Sequence, residues 1–140
     1  MVTVLAEPRR PIADWQEKLT DWVTEVNEVV QQVSAWAKAN GWRTLTNHKV
    51  ITEDFIGKYE VPRLLVHRPD GKLLLDPIAR YVAGAAGRFE LCAIPSYDSV
   101  LLVRADSGWR FFSTSRKKDI DLAWSNESFV TVCNKLLQHQ

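Results

Sequence analysis

The sequence has few of the residues from which metal centres and disulfide frameworks are built. It contains two cysteines and three histidines among 140 residues. None of His48, His67 and His139 lies about three to five residues from another histidine or a cysteine, the spacing typical of paired zinc ligands. Cys92 and Cys133 lie in apolar surroundings, so we expect buried free thiols rather than a disulfide. These absences predict a protein without a bound metal or cofactor.

Long apolar runs and a strong net charge are also absent. No stretch reaches the roughly 18 apolar residues of a transmembrane helix. The arginines near the N-terminus follow the short apolar run at residues 2–6, whereas a secretory signal begins with its basic residues. We therefore expect a cytoplasmic protein that does not associate with membranes. The 18 basic and 17 acidic residues give a net charge of +1, which disfavours nucleic acid as the principal partner.

The motifs of common enzyme classes are missing as well. There is no nucleophile elbow, no phosphate-binding loop and no dinucleotide fingerprint. One carboxylate pair remains, because Asp76 and Glu90 are spaced like the magnesium-binding residues of restriction-like nucleases. In those enzymes a lysine follows two residues after the glutamate, and here Cys92 stands at that place. An active enzyme is therefore the less favoured interpretation.

Other side chains could complete such a nuclease site. Lys72 or Arg88 could replace the missing lysine, and Glu25 or Glu28 could add a carboxylate. The alternative is that Asp76 and Glu90 are ordinary carboxylates at strand ends. Their charges would then be balanced by Arg80 and Arg88.

What the sequence does contain is one very regular apolar pattern. Apolar residues recur at spacings of three and four, at Ile12, Trp15, Leu19, Trp22, Val26, Val29, Val33 and Trp36. This pattern predicts one long helix with a single apolar side. Pro11 suits a first turn and Asn40-Gly41 suits a helix end, so we place the helix from about Pro11 to Ala39. A second amphipathic helix is predicted over Glu127–Gln138, with Ser125 or Asn126 as its N-cap.

Between the helices the pattern favours β-strands. Short connections such as Pro69-Asp70-Gly71 predict antiparallel neighbours. Thr44–Ile51 is a weaker strand candidate and is not counted among the five. The five predicted strands are Arg63–Arg68, Lys72–Ala79, Arg88–Ile94, Ser99–Ala105 and Trp109–Thr114.

These elements predict one α+β domain over residues 1–140, with a flexible segment at residues 1–10. Its sheet would be a five-stranded antiparallel meander or a partial barrel between the two helices. The unbroken apolar runs Leu73–Leu75 and Val100–Val103 indicate that both faces of the sheet are covered, since alternate strand residues point to opposite faces. We expect helices on opposite faces or a curled sheet. A partner chain that covers one face is the third possibility.

The candidate binding residues are aromatic and basic. Six tryptophans are many for this length, and tryptophan is a frequent interface anchor as well as a core residue. Two of them flank the predicted helix ends, and one strand mixes aromatic with basic residues ahead of a basic run. The alternative interpretation is core packing for the aromatic rings and a solvated loop for the charges. The candidate partner-binding residues are Trp42, Trp124, Trp109, Arg110, Arg116, Lys117 and Lys118.

The sequence favours a non-enzymatic protein-binding domain that serves as an accessory subunit, adaptor or inhibitor. Its partner would be another protein or a second copy of the chain. Residues 11–40 carry a net charge of −3 and residues 83–118 a net charge of +3, so we expect the molecule to have opposite charged ends. A metal-dependent nuclease that uses Asp76 and Glu90, and a weak nucleic-acid binder, are the alternatives.

Overall fold

Two helices and seven strands make up the part of the chain that the structure, a computed structural model, describes. That part comprises residues 10–53, 57–78, 87–105, 107–113 and 119–138. Residues 1–9 of the segment expected to be flexible lie outside it. The elements are α1 (Arg10–Ala39), β1 (Arg43–Glu53), β2 (Gly57–Arg68), β3 (Gly71–Ile78), β4 (Arg88–Ile94), β5 (Ser99–Ala105), β6 (Gly108–Ser113), β7 (Ile120–Ala123) and α2 (Asn126–Leu137).

Both helices confirm the sequence pattern. The three-four spacing buries Trp22, Val26 and Val33 along one side of α1, as expected for a helix packed on a sheet. In α2 the Ser125 hydroxyl accepts a hydrogen bond from the backbone N–H of Ser128 at 3.0 Å, which confirms Ser125 as the N-cap.

The α+β class and the antiparallel meander are confirmed, but the prediction of five strands is wrong. The sheet has seven strands in the order β1-β2-β3-β4-β5-β6-β7, and every neighbouring pair is antiparallel. β1 lacks the apolar alternation of a half-buried strand because it is an edge strand with many exposed polar side chains. β7 has only four residues, too few for a period of two to stand out.

The sheet is open rather than barrel-shaped. Among the described strands β1 and β7 are the two edges, and no pairing joins them. The partial barrel considered from the sequence is therefore not formed by these strands.

Both helices pack on the same face of the sheet, which we call the inner face. Trp22 of α1 contacts Phe89 of β4, with 5.7 Å between ring centroids. Phe89 lies opposite Leu102 on the adjacent strand, so the two side chains share a face. From the other helix, Leu137 approaches Gly71 so closely that an added Cβ would lie 2.8 Å from its methyl carbon. The expectation of helices on opposite faces is therefore wrong.

The hairpin of β1 and β2 changes its buried face along its length. Near β3, the even-numbered Leu64 and Val66 of β2 are buried, whereas at the far end the buried residues are the odd-numbered Ile51 and Val61. Only residues 64–68 of β2 pair with β3, so the far half is a two-stranded ribbon. Two-stranded ribbons twist more strongly than wider sheets. The twist turns the opposite side of the ribbon toward the core.

Candidate protein-interaction surface

The opposite, outer face of the sheet carries a cluster of apolar side chains that neither described helix covers. We call this cluster the outer-face patch and define it as Ile78 of β3, Leu101 and Val103 of β5, and Phe112 of β6. Leu101 lies directly opposite Phe112 in the register of the two strands. Ile78, Leu101 and Val103 are partly exposed, and Phe112 keeps 37% of its surface accessible. The patch therefore remains open to contact.

The patch follows from the local sequence. In β5, Val100 and Leu102 are buried on the inner face, while the alternate residues Leu101 and Val103 point outward. The unbroken apolar run at residues 100–103 thus supplies the core and the outer surface at once. A strand facing solvent on one side normally alternates apolar with polar residues.

Charged side chains surround the outer-face patch. Glu90 and Arg88 of β4 lie opposite Leu101 and Val103, on one side of β5. On the other side, Arg110 lies opposite Val103, and its Nε donates a hydrogen bond of 2.8 Å to Asp121 of β7. An apolar centre inside a polar rim is the usual anatomy of a protein–protein interface.

A shallow depression follows the same residues. It has a volume of about 540 Å³ and is lined by the four apolar side chains of the patch, by Arg88 and Glu90, and by Gly87 and Arg104. All of these residues except Gly87 belong to β3, β4, β5 or β6. The depression is open to solvent and fits a surface contact better than an enclosed small molecule.

The carboxylate pair noted in the sequence does come together. Asp76 and Glu90 are direct cross-strand partners on β3 and β4, next to the outer-face patch. Asp76 is ion-paired with Lys49 of β1 at 2.7 Å. The third carboxylate is not supplied as considered, because Glu25 of α1 is ion-paired with Arg104 on the inner side. In the described part of the chain no three Asp, Glu, His or Cys side chains are placed to hold a metal ion.

Cys92 occupies the place of the nuclease lysine, two residues after Glu90. Burial, together with the negative charges of Glu90 and Asp76, raises the pKa of the Cys92 thiol above its ordinary value. The thiol therefore stays neutral at neutral pH. It supplies neither the positive charge of a lysine nor a reactive thiolate.

The three candidate tryptophans lie on the inner side of the sheet and pack against the core. The Trp124 ring lies 4.5 Å from that of Trp36 and 5.8 Å from that of Phe111, between centroids. Trp109 packs edge-to-face on Phe89 at 5.5 Å. All three remain partly exposed, so a partner role for them stays a prediction.

Trp42 closes the end of α1 over α2. Its ring lies 5.9 Å from that of Phe129, and the Arg68 guanidinium lies 4.6 Å from its centroid. An arginine over an aromatic face is an attractive cation–π arrangement. Trp42 thus holds the two helices and β2 together.

Arg110 is the one described candidate residue on the outer face, beside Val103. The basic run Arg116, Lys117 and Lys118 lies outside the described residues. The structure brings Arg110 together with Leu101 and Phe112, which residue-type reasoning had not selected. Their signal in the sequence was the apolar run at residues 100–103, which already indicated a second covered face.

Comparisons of this chain with protein-family models, with curated proteins and with solved structures find no match. Its own residues must therefore carry the functional argument. In the described part of the chain, no helix combines the length with the apolar character needed to cross a membrane.

Proposed function

We propose that this protein is a non-enzymatic, cytoplasmic protein-binding domain whose docking surface is the outer-face patch. The observation that carries the proposal is the apolar cluster of Leu101, Val103 and Phe112 on a face that neither described helix covers. Its removal from water would contribute roughly 25 cal/mol for each Å² of apolar surface buried. This term would stabilise a complex in which a partner covers the outer-face patch.

The rim specifies the chemistry of the partner. Charges of both signs surround the apolar centre in two rows that run across the strands. One row contains Arg88 and Arg110, and the next contains Glu90 and Asp121. A matching partner has an apolar projection between an acidic and a basic side chain. Such an arrangement fixes orientation more than it adds affinity.

The proposal is tested by affinity capture of the tagged protein from its native cells, with and without nuclease treatment. The test variant is Phe112→Glu, which places a carboxylate at the centre of the patch. The matched control is Gln32→Glu, which adds the same charge at an exposed position on α1. We expect wild type and Gln32→Glu to recover one stoichiometric protein partner. Recovery by Phe112→Glu should fall about tenfold or more, as for a central interface residue.

Two results would contradict the proposal. One is equal recovery of the same partner by Phe112→Glu and Gln32→Glu, which would place the docking surface elsewhere. The other is loss of every partner after nuclease treatment, which would make bound nucleic acid the bridge. Circular dichroism of both variants confirms that the fold is retained.

A metal-dependent nuclease is the second candidate, favoured by the direct cross-strand pairing of Asp76 with Glu90. Magnesium is commonly bound through one or two carboxylates together with waters and substrate phosphates, and this pair supplies two carboxylates. Cleavage of DNA or RNA that requires Mg²⁺ and disappears in Asp76→Ala, but persists in Asp121→Ala, would establish this activity. The protein-binding proposal predicts no cleavage by any of these proteins.

A further inference from the structure

Among the described strands, β1 forms a long edge of the sheet with no second neighbour. It runs for eleven residues, and among the described strands its only neighbour is β2. The backbone N–H and C=O groups on its free side are available to pair with another extended strand. The two most exposed aliphatic side chains of the described residues also lie on it, Leu45 at 56% and Val50 at 60% exposure.

The usual protections against edge pairing are missing from β1. Natural edges are shortened, bulged, interrupted by proline or given an unpaired charge. β1 contains no proline, and its register with β2 is continuous from Arg43 to Glu53. The charge in its middle, on Lys49, is already neutralised by Asp76 at 2.7 Å. The edge is therefore compatible with a partner strand.

We propose that β1 pairs with β1 of a second copy of this chain, antiparallel around a two-fold axis that passes beside His48. The two sheets then form one continuous sheet, with both outer faces on the same side. A two-fold axis perpendicular to the sheet places the outer face of the second copy on the same side as the outer face of the first. On this axis one residue of β1 must lie directly opposite the same residue of the second copy.

The sequence of β1 is self-complementary in the register centred on His48. This register alone pairs all eleven residues. It places Leu45 opposite Ile51, Val50 opposite Thr46 and Lys49 opposite Asn47. At the ends Arg43 lies opposite Glu53 of the second copy, whose buried carboxylate is already bonded to Tyr59 of its own chain. Favourable cross-strand pairs of this kind stabilise a sheet.

The neighbouring registers are worse. Centring on Asn47 places Leu45 opposite Lys49, and centring on Lys49 places two lysines opposite each other. Both also pair fewer residues. The charges and apolar residues of β1 thus select one arrangement.

The side of α1 that overlooks this edge is also suited to a second copy. A groove of about 450 Å³ runs between α1 and β1, and no carboxylate lines it. The groove is lined by Asn27, Val30, Gln31, Ser34, Ala35, Lys38, Thr46, His48 and Pro62. In the paired sheet the two α1 helices lie on the same face and approach along these sides.

Sedimentation analysis over a wide range of protein concentration tests this proposal with two double variants. Thr46→Lys with Val50→Lys places lysine opposite lysine at both symmetric pairs of the proposed register. Thr46→Glu with Val50→Lys changes the same two exposed positions but places opposite charges there. We expect the wild type to dimerise, the first variant to weaken the dimer about tenfold or more, and the second to retain it.

A wild type that stays monomeric at every concentration would overturn the proposal, and so would two double variants that dimerise equally. The register would be wrong if the second variant lost the dimer as the first does. Phe112→Glu serves as the control for the outer face, and its dimerisation should equal that of the wild type. This control separates the edge contact from the docking surface proposed above.

Discussion

At the scale of single residues, one chain of polar contacts joins α1 to the hairpin of β1 and β2. The Tyr59 hydroxyl accepts a hydrogen bond from Trp22 Nε1 at 3.1 Å and donates one to the carboxylate of Glu53, which is 8% exposed. The sequence could not predict this chain, because Trp22 and Tyr59 are 37 residues apart. Their pairing depends on the twist of the ribbon, which no local pattern encodes.

Tyr59→Phe removes the hydroxyl from the middle of that chain. The Trp22 indole and the Glu53 carboxylate then each lose one polar partner, and we expect the free energy of unfolding to fall by about 1–3 kcal/mol. Urea denaturation followed by tryptophan fluorescence measures this change. Tyr97→Phe, at a site 74% exposed, is the matched control. Equal stability of the two variants would show that the buried hydroxyl contributes nothing.

The two thiols provide a second test at this scale. Burial raises the pKa of the Cys133 thiol to about 12, and the pKa of Cys92 is raised in the same direction. A raised pKa keeps the thiol protonated, and only the thiolate reacts rapidly with disulfide reagents. We expect neither cysteine to react with Ellman's reagent in the native protein at about pH 8, and both to react once it is unfolded. A fast reaction in the native protein, assigned with Cys92→Ser and Cys133→Ser, would contradict the burial described here.

At the scale of elements, the helices and strands predicted correctly are those whose apolar residues recur with a strong local period. The predicted and observed bounds of α1 agree closely, because eight apolar residues at spacings of three and four are typical of a helix and not of a strand. β1 was only a weaker strand candidate, at Thr44–Ile51, and β7 was missed, because a polar edge strand and a four-residue strand carry almost no period. Which face each helix packs on depends on contacts between distant elements, so the pattern could not decide it.

The contact between α1 and the start of β4 is tight enough to test by substitution. An added Cβ at Gly87 would lie 2.5 Å from the Trp22 ring. We expect Gly87→Ala to lower the free energy of unfolding by about 1–3 kcal/mol, as overpacking does. In the background of Trp22→Leu the same substitution should cost less, since the ring is gone. Equal costs in both backgrounds would mean that Gly87 does not contact Trp22.

At the scale of the whole molecule, the two helices of the described residues pack on one face of the sheet, and neither covers the other face. The apolar runs at residues 73–75 and 100–103 predicted that both faces of the sheet are covered, whereas on the outer face Leu101 is partly exposed and Phe112 is exposed. From the sequence we expected the chain's own helices or a curled sheet to cover both faces. Residue patterns do not show on which face of the sheet each helix packs. The outer-face patch, with Arg110 in its rim, is therefore the centre of the functional account.

Photocrosslinking in the native cells from two positions tests whether the outer-face patch contacts a protein partner. Benzoylphenylalanine in place of Phe112 puts the reactive ring on the outer-face patch, and the same residue in place of Gln32 puts it on the exposed side of α1. We expect a discrete crosslink to one protein partner from position 112 and none from position 32. A partner crosslinked from position 32 and not from position 112 would contradict this expectation, as would the absence of any crosslink from position 112.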